Sequence, residues 1–276
     1  MSTVLTAPPA APTAASGTVE LRAVQRTFAT AQGPCPVLRG VDLAVGAGEI
    51  LAVIGPSGCG KSTLLRLLGG LDAPTAGDLT IDGTAVRDTD DRTAVAFQEP
   101  RLLPWRTIAQ NVALGLPRGT PRAEATARVA ELLELVGLSH AAERRPREVS
   151  GGMAQRASLA RALARGPELL LLDEPFGALD ALTRLRMQDL LLDIHASQPT
   201  TVVLVTHDVE EALYLADRVL LLRSIAGQPS EDSIARVIDV PGIRPRDRAD
   251  HALTDLRAEL LQGLGVATHH HTEENR

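Results

Sequence analysis

A short apolar segment that leads into a glycine-rich loop constrains the fold of this chain more than any other feature. Residues 50–54 are all apolar, the octet at residues 55–62 follows directly, and residues 61–71 have a helical pattern. A continuous apolar run is typical of a central strand that is buried on both faces. The octet fits the pattern G-x-x-x-x-G-K-[ST], which binds phosphate when it lies between a strand and a helix. The segment therefore predicts an α/β fold with a phosphate site after a central strand.

The residues of this loop are suited to the phosphates of a nucleotide. Its glycines let backbone N–H groups converge on phosphate oxygens, and the N-terminus of the following helix adds about half a positive charge. Lys61 is the only lysine among 28 basic residues, and a compact ammonium fits inside a loop of backbone donors better than a planar guanidinium does. The Ser62 hydroxyl is suited to Mg²⁺. The predicted nucleotide contacts in this segment are Gly55, Pro56, Ser57, Gly58, Cys59, Gly60, Lys61, Ser62 and Thr63.

Composition argues against several other classes of protein. The net charge of −6 makes a nucleic-acid partner improbable, because such binding usually needs a basic surplus. Two cysteines, Cys35 and Cys59, allow at most one disulfide and indicate a reducing compartment. The chain has no run of 18 uncharged apolar residues, so no membrane-spanning helix is expected. Residues 1–17 are rich in Ala, Pro and Thr, which predicts a disordered leader.

Strand and helix patterns alternate along the rest of the chain. Residues 18–52 contain half-buried strands joined by turns, residues 98–165 are mainly helical, and strands alternate with helices up to residue 222. Such alternation predicts a parallel sheet covered by helices. We expect one large domain at residues 18–240 with a helical insertion at about 98–165. A C-terminal helix and a polar, histidine-containing tail are expected at residues 241–276.

Two adjacent acids, Asp173 and Glu174, follow an apolar strand at residues 169–172. In a sheet of parallel strands, ligand sites lie at the carboxyl ends of the strands. An acid at this position can hold the water shell of a metal ion, and a second acid can orient a water molecule toward a γ-phosphate. Together with the phosphate loop, the pair predicts nucleotide hydrolysis.

A second glycine-rich helix start lies at Ser150, Gly151 and Gly152. A serine N-cap followed by two glycines exposes backbone N–H groups at the positive end of a helix dipole. Within one chain, this start and the phosphate loop would compete for the same phosphate. The economical solution is that the Ser150 helix caps the nucleotide of another subunit.

These motifs, in this order, resemble the ATP-binding subunits of ABC transporters over residues 18–222. Besides the phosphate loop, the resemblance rests on five motifs: Phe97-Gln98 as the Q-loop, Ser150-Gly151-Gly152 as the signature, Asp173-Glu174 as Walker B, Gly177-Ala178-Leu179-Asp180 as the D-loop and Thr206-His207-Asp208 with the switch histidine. The resemblance implies a P-loop NTPase fold with a mostly parallel core sheet, an N-terminal antiparallel β subdomain and the helical insertion.

In such proteins, two ATPase subunits close head to tail around two ATP molecules. By this resemblance Glu174 is the catalytic carboxylate that polarises water, and His207 bonds the γ-phosphate and steadies that water. Asp173, Ser62 and Gln98 serve Mg²⁺, and Gln98 also senses the membrane partner.

The resemblance also implies contacts across the dimer. Ser150, Gly151 and Gly152 contact the γ-phosphate bound by the facing subunit, and Asp180 organises the facing loop. Phe28 is similar in position to the aromatic residue that stacks on adenine, although a core position fits this residue equally well.

A lone ATPase domain without membrane spans looks like an importer subunit, which binds two transmembrane permease subunits at the cytoplasmic face of the membrane and serves a solute-binding protein indirectly. Residues 97–105 and 173–184 resemble the nitrate, sulfonate and taurine group, and the segment Arg-Leu-Leu-Pro-Trp at 101–105 is closest to aliphatic sulfonate importers. Leu102, Leu103 and Trp105 are suited to receive a short permease helix, although Trp105 also fits the core of the helical insertion.

Other functions fit part of the pattern. Nitrate or taurine import remains open, because the ATPase does not touch the solute. A soluble ABC-type ATPase that works on DNA or ribosomes shares the phosphate loop and Walker B, but usually carries two cassettes or long coiled-coil insertions. A P-loop kinase would leave the signature at Ser150 and the D-loop at Asp180 unexplained.

Overall fold

The computed structural model describes residues 16–227 and 230–266. Within these residues the chain forms a six-stranded sheet and a four-stranded sheet, with helices packed against them. Most of the predicted leader, residues 1–15, and the histidine run at residues 269–271 lie outside the described residues.

The strands and helices have the following bounds. The strands are β1 (Val19–Thr30), β2 (Gly33–Val45), β3 (Ile50–Ile54), β4 (Ala76–Ile81), β5 (Thr84–Ala85), β6 (Thr93–Ala96), β7 (Leu169–Asp173), β8 (Thr201–Val205), β9 (Arg218–Leu222) and β10 (Ile234–Asp239). The α-helices are α1 (Lys61–Leu68), α2 (Ile108–Ala113), α3 (Arg122–Leu135), α4 (Gly151–Ala164), α5 (Ala181–Ser197), α6 (Val209–Leu215) and α7 (Thr254–Gly263).

The six-stranded sheet has the order β10-β9-β3-β8-β7-β6, and all of its strands run parallel except the edge strand β10. Strand β3 is buried along its whole length. Its alternate residues enter two different apolar cores, since Leu51 and Val53 belong to one and Ala52 and Ile54 to the other. The prediction of a central strand with two buried faces is therefore confirmed.

The four-stranded sheet is antiparallel, with the order β2-β1-β4-β5. Strands β1 and β2 are longer than the sequence pattern indicates. Their pairing shifts register between Leu21 and Val24 and again before Arg26 and Thr27. Such irregularities break the alternation of apolar and polar residues on which a strand prediction depends. The inner face of this sheet packs on the same core as Leu51 and Val53 of β3.

Helices α2, α3 and α4 all lie between β6 and β7, which are neighbouring parallel strands. Thr107 begins α2 with a capping box, in which its hydroxyl accepts from the Gln110 backbone and the Gln110 side chain accepts from the Thr107 N–H. The hydroxyl of Ser150 accepts from the Met153 N–H at 3.3 Å and so caps α4. In the part of the chain that the structure describes, none of the helices has the length and apolar character needed to cross a membrane.

Candidate nucleotide site

The predicted phosphate loop connects β3 to α1, as the sequence indicates. The Lys61 Nζ donates to the carbonyl oxygens of Gly55 at 2.7 Å and Pro56 at 3.1 Å. Its ammonium group therefore lies over the loop, where a phosphate would bind. A Cβ atom on Gly55 would lie 2.6 Å from the carbonyl oxygen of Leu222, so only glycine fits the close approach of the loop to β9.

Gly60 determines how α1 begins. Its φ of +103° lies in the left-handed region, and a Cβ atom there would stand 2.7 Å from the Leu38 side chain. Among the described residues, no side chain caps the first turn of α1. A helix start without a side-chain cap after a glycine-rich loop is the arrangement that binds anions. Cys59 is buried beside this start, and this burial raises the pKa of its thiol, in keeping with a packing role.

The acids of Walker B lie next to the phosphate loop. The Ser62 side chain forms a hydrogen bond with the carboxyl group of Asp173. Burial raises the pKa of Asp173 above its ordinary value, and the negative charge of Glu174 raises it further, whereas the Ser62 hydrogen bond opposes the rise. A cation bound beside Asp173 would favour the charged form of its carboxyl group and so offset this rise.

Three predicted residues from distant parts of the chain meet at one carboxylate. The Glu174 Oε2 atom accepts from the Gln98 Nε2 at 3.3 Å and lies 3.3 Å from the His207 Nδ1. Glu174 has a φ of +45°, which is uncommon for a residue with a side chain, and its N–H donates to the Val205 carbonyl oxygen at 2.9 Å. The structure therefore brings the Q-loop, Walker B and switch histidine together, and it keeps Glu174 in a strained conformation of the type found at active sites.

The donor set beside the loop fits Mg²⁺. Ser62, Asp173 and Gln98 offer hydroxyl, carboxylate and amide oxygens, which are the ligands that this cation prefers, and it is usually bound by few protein groups together with substrate phosphates. Among the described residues, no cluster of three or more His, Cys, Asp or Glu could hold a metal on its own.

The second helix start, at Ser150, lies open on the surface. Ser150 and Gly151 are exposed, and a Cβ atom on Gly151 would meet nothing within 4 Å. Gly152 differs, because a Cβ atom there would stand 2.6 Å from the Thr183 methyl group of α5. Asp180 caps α5 by accepting from the Thr183 N–H at 3.0 Å, and hydrogen bonds from Thr183 hold the pKa of Asp180 below its ordinary value.

Two aromatic residues whose environment the sequence left open are now placed. Phe28 belongs to neither apolar core, and the Arg26 guanidinium covers one face of its ring at 4.3 Å. Trp105 is 67% exposed, so the alternative that it lies in the core of the helical insertion is wrong. Both rings retain surface that a ligand or partner can contact.

The exposed Trp105 stands on a well-anchored turn. The Asn111 side chain, fully buried in α2, accepts from the Leu103 N–H at 2.7 Å and donates to the carbonyl oxygens of Leu103 at 3.2 Å, Arg106 at 3.3 Å and Thr107 at 2.9 Å. Asn111 was not predicted from the sequence, although an asparagine among the apolar positions of a short helix is a signal for such a role.

Two further side chains of α4 hold the Q-loop and were also missed. The buried Gln155 donates to the Phe97 carbonyl oxygen at 3.2 Å. Arg161 donates to the carbonyl oxygens of Pro100 at 2.7 Å and Arg101 at 2.9 Å. The helix that begins at the signature is therefore bonded directly to the loop that carries Gln98.

Comparisons with known proteins agree with this site. A profile of the ABC transporter family matches residues 38–177. The aliphatic sulfonates import ATP-binding protein SsuB 2 of Burkholderia lata is 48% identical over 93% of this chain and 91% of its own length. SsuB 1 of Streptomyces avermitilis is 48% identical over 95% of this chain and 92% of its own length.

A solved structure is also similar. The ATP-binding cassette MJ0796, determined as a dimer in a post-hydrolysis state with ADP and Pi, has a TM-score of 0.70 and 33% identity, and the match covers 82% of this chain and 100% of the other. Fold, motif order and sequence identity agree, and the chain therefore belongs to the ABC transporter family.

Proposed function

We propose that this chain hydrolyses ATP as a Mg²⁺-dependent homodimer and thereby powers the import of aliphatic sulfonates. The observation that carries the hydrolytic part is the convergence of Gln98 and His207 on Glu174, next to the Ser62–Asp173 pair and the phosphate loop. These residues are far apart in sequence, so their meeting is a property of the fold.

The chemistry follows from the position of each group. Lys61 and the N–H groups at the start of α1 hold the outer phosphates. Glu174 accepts a hydrogen bond from the attacking water and so orients it toward the γ-phosphate. His207, 3.3 Å from the Glu174 carboxylate, bonds the γ-phosphate and limits the movement of that water. Ser62, Asp173 and Gln98 hold Mg²⁺, which supplies positive charge to the phosphates when bound.

The site in one chain is incomplete on the side of the γ-phosphate. The open helix start at Ser150 and Gly151 supplies the N–H groups that a second copy lacks. Asp180 at the start of α5 lies close to this helix start, because Gly152 packs against Thr183, whose N–H bonds to Asp180. A head-to-tail dimer puts each start on the ATP of the other subunit. The dimeric structure of MJ0796 supports this arrangement.

Transport requires a membrane partner, and we place it at Trp105. The indole is 67% exposed on a turn that Asn111 anchors, and Arg161 links the neighbouring residues to α4. An exposed apolar side chain on an anchored turn that follows the Q-loop in the sequence is suited to a permease helix. Two permease subunits then hold the dimer peripherally at the cytoplasmic face of the membrane, where a solute-binding protein delivers the solute.

The sulfonate assignment rests on the SsuB relatives, and uptake tests it. A strain that lacks this gene is supplied in turn with single aliphatic sulfonates, taurine or nitrate, and uptake and growth are measured with and without a plasmid copy. We expect loss of uptake for the aliphatic sulfonates alone, restored by the wild-type plasmid and not by Lys61→Ala. Loss of uptake for taurine or nitrate alone would show that one of these is the solute in place of aliphatic sulfonates, and the proposed ATP hydrolysis would still stand.

A further inference from the structure

A buried acid, Glu211, lies on α6 four residues after His207. Its side chain is 3% exposed, and its neighbours Val209, Ala212 and Leu213 are buried and apolar. Burial of a carboxyl group in such surroundings costs free energy unless the group is hydrogen-bonded. Its position therefore requires a specific explanation, which neither the phosphate loop nor the motifs of the family supply.

The partners of Glu211 lead to the switch histidine. The Gln188 Nε2 donates to the Glu211 Oε2 at 3.2 Å, and the Thr206 side chain forms a second hydrogen bond with the same carboxyl group. The Thr206 Oγ1 also accepts from the Asp208 N–H at 3.0 Å. Since Thr206 and Asp208 flank His207 in the chain, these bonds hold the backbone on both sides of the histidine.

Glu211 is also close to the reacting groups in space. It lines a cavity of about 10 Å³ together with Glu174, Thr206 and His207. Such a volume is about that of one water molecule. Glu211 therefore faces the back of the site without lying among the groups that we assign to ATP.

The charge of this carboxyl group changes near neutral pH. Burial raises the pKa of Glu211 to about 7, and the negative charge of Asp208 adds to the rise. Hydrogen bonds from Thr206 and Gln188 and the positive charge of Arg184 oppose it. Arg184 lies 3.5 Å from the Asp208 carboxylate, so the two charges beside Glu211 are paired with each other. Protonation turns one accepting oxygen into a donor and so disturbs the bond to Thr206 or to Gln188.

The network continues to the C-terminal segment. The Arg248 guanidinium donates to the Gln188 Oε1 at 2.7 Å and to Asp189 at 2.8 Å, and it stacks on the Tyr214 ring at 3.5 Å. Gln188 thus joins Arg248 on one side to Glu211 on the other. Two side chains, Gln188 and Glu211, therefore connect Arg248 to Thr206.

We propose that Glu211 is a positioning residue for His207 and holds it through Thr206. Gln188 connects Glu211 to Arg248 in the C-terminal segment. This inference rests on the proposed function, because it presupposes that His207 contacts the γ-phosphate.

The test compares Glu211→Gln with Glu210→Gln, its exposed neighbour, which pairs with Arg257 on the surface. Steady-state ATP hydrolysis is measured at about pH 6 and about pH 8. We expect Glu211→Gln to lower kcat about fivefold at the higher pH, the equivalent of one hydrogen bond, and less than about twofold at the lower pH, with KM little changed. Glu210→Gln should match the wild type at both.

Stability separates positioning from a purely structural role. Because the folded protein keeps the Glu211 proton up to about pH 7 while the unfolded chain loses it near 4.5, burial of this group costs stability as pH rises through that window. Glu211→Gln removes the ionisation, so its Tm should exceed that of the wild type above the window. A merely structural residue would lose activity and stability together.

Two further variants keep the proposal falsifiable. Thr206→Val, which lacks the hydroxyl and therefore also the bond from the Asp208 N–H, should lower kcat at least as much as Glu211→Gln does. The double variant should lose no more than Thr206→Val alone, and Thr206→Ser should restore the rate. Wild-type kcat in Glu211→Gln at about pH 8, or multiplied losses in the double variant, would overturn the inference.

His207→Ala is the reference variant, because it tests the role proposed for His207 itself. If it hydrolyses ATP normally, the proposed role of His207 fails and the inference falls with it; if it is inactive, the Glu211 results judge the inference alone.

Discussion

The two glycine-rich helix starts of this protein are similar in sequence and different in their surroundings. At α1, among the described residues, no side chain caps the first turn, and Lys61, Asp173 and Glu174 lie nearby. At α4, Ser150 caps the first turn with its own hydroxyl, and the start is open to solvent. The first is equipped to bind phosphate within one chain, whereas the second offers backbone donors that face solvent. The difference shows how one chain can carry two parts of a site that a second copy completes.

The largest effect is expected at the first start. Lys61→Ala removes the ammonium that faces the phosphates, and we expect ATP hydrolysis to fall by about a thousandfold, because a charged donor to the transferred group is lost. The side chain bonds only to loop carbonyls in this structure, so circular dichroism and Tm should stay close to wild type.

Arg66→Ala is the matched control for this change, since Arg66 is an exposed basic residue of the same helix. It should leave hydrolysis unchanged. Substantial hydrolysis by Lys61→Ala would remove the distinction between the two helix starts.

An intermediate effect is expected at the second start. Gly152→Ala puts a Cβ atom 2.6 Å from the Thr183 methyl group, and we expect a loss of about 1–3 kcal/mol in the free energy of unfolding with a fall in hydrolysis. Denaturant titration and an ATPase assay measure both.

Thr183→Ser removes that methyl group and keeps the hydroxyl beside Asp180, so the double variant should recover most of both losses. If Gly152→Ala were as stable and active as the wild type, the close contact between α4 and α5 would not matter for the second start.

The smallest effect on the isolated protein is expected at Trp105, which serves neither helix start. Trp105→Ala should change the free energy of unfolding by less than about 0.5 kcal/mol and leave ATP hydrolysis by the purified chain unchanged, since the side chain is exposed. Uptake by cells should fall because the permease contact is lost. Leu114→Ala, another exposed apolar residue of the same segment, should not lower it. Normal uptake with Trp105→Ala would contradict the docking surface.

Local pattern was sufficient for much of the fold. The apolar run of β3, the octet after it and the acids after β7 specify strand, loop and helix within a few residues of each other. The long strands β1 and β2 were underestimated, because register shifts near Val24 break their alternation. The short β5 was missed, because two residues are too few for any periodic pattern.

The parts of the site that sequence could not predict depend on contacts between distant elements. Gln98, Glu174 and His207 were each assigned from motifs, yet their approach to within 3.3 Å appears only in three dimensions. Asn111 and Glu211 lie outside the sequence motifs of the site, and each is a polar residue on the buried face of a short helix. Their partners lie on other elements or loops, which a linear pattern does not reveal.

The central claim is that the open start at Gly151 acts on the ATP of a second copy, and one measurement tests it directly. Glu174→Gln and the double variant Glu174→Gln/Gly151→Asp are incubated with ATP and Mg²⁺, and light scattering after gel filtration gives the mass while nucleotide binding is measured in parallel. A Cβ atom at residue 151 would meet nothing within 4 Å, and an acid suits a helix N-terminus, so the fold should persist while the new charge repels a facing phosphate. We predict an ATP-bound dimer for the single variant and an ATP-bound monomer for the double variant. A monomeric Glu174→Gln, or a double variant that still forms the ATP-bound dimer, would contradict the account.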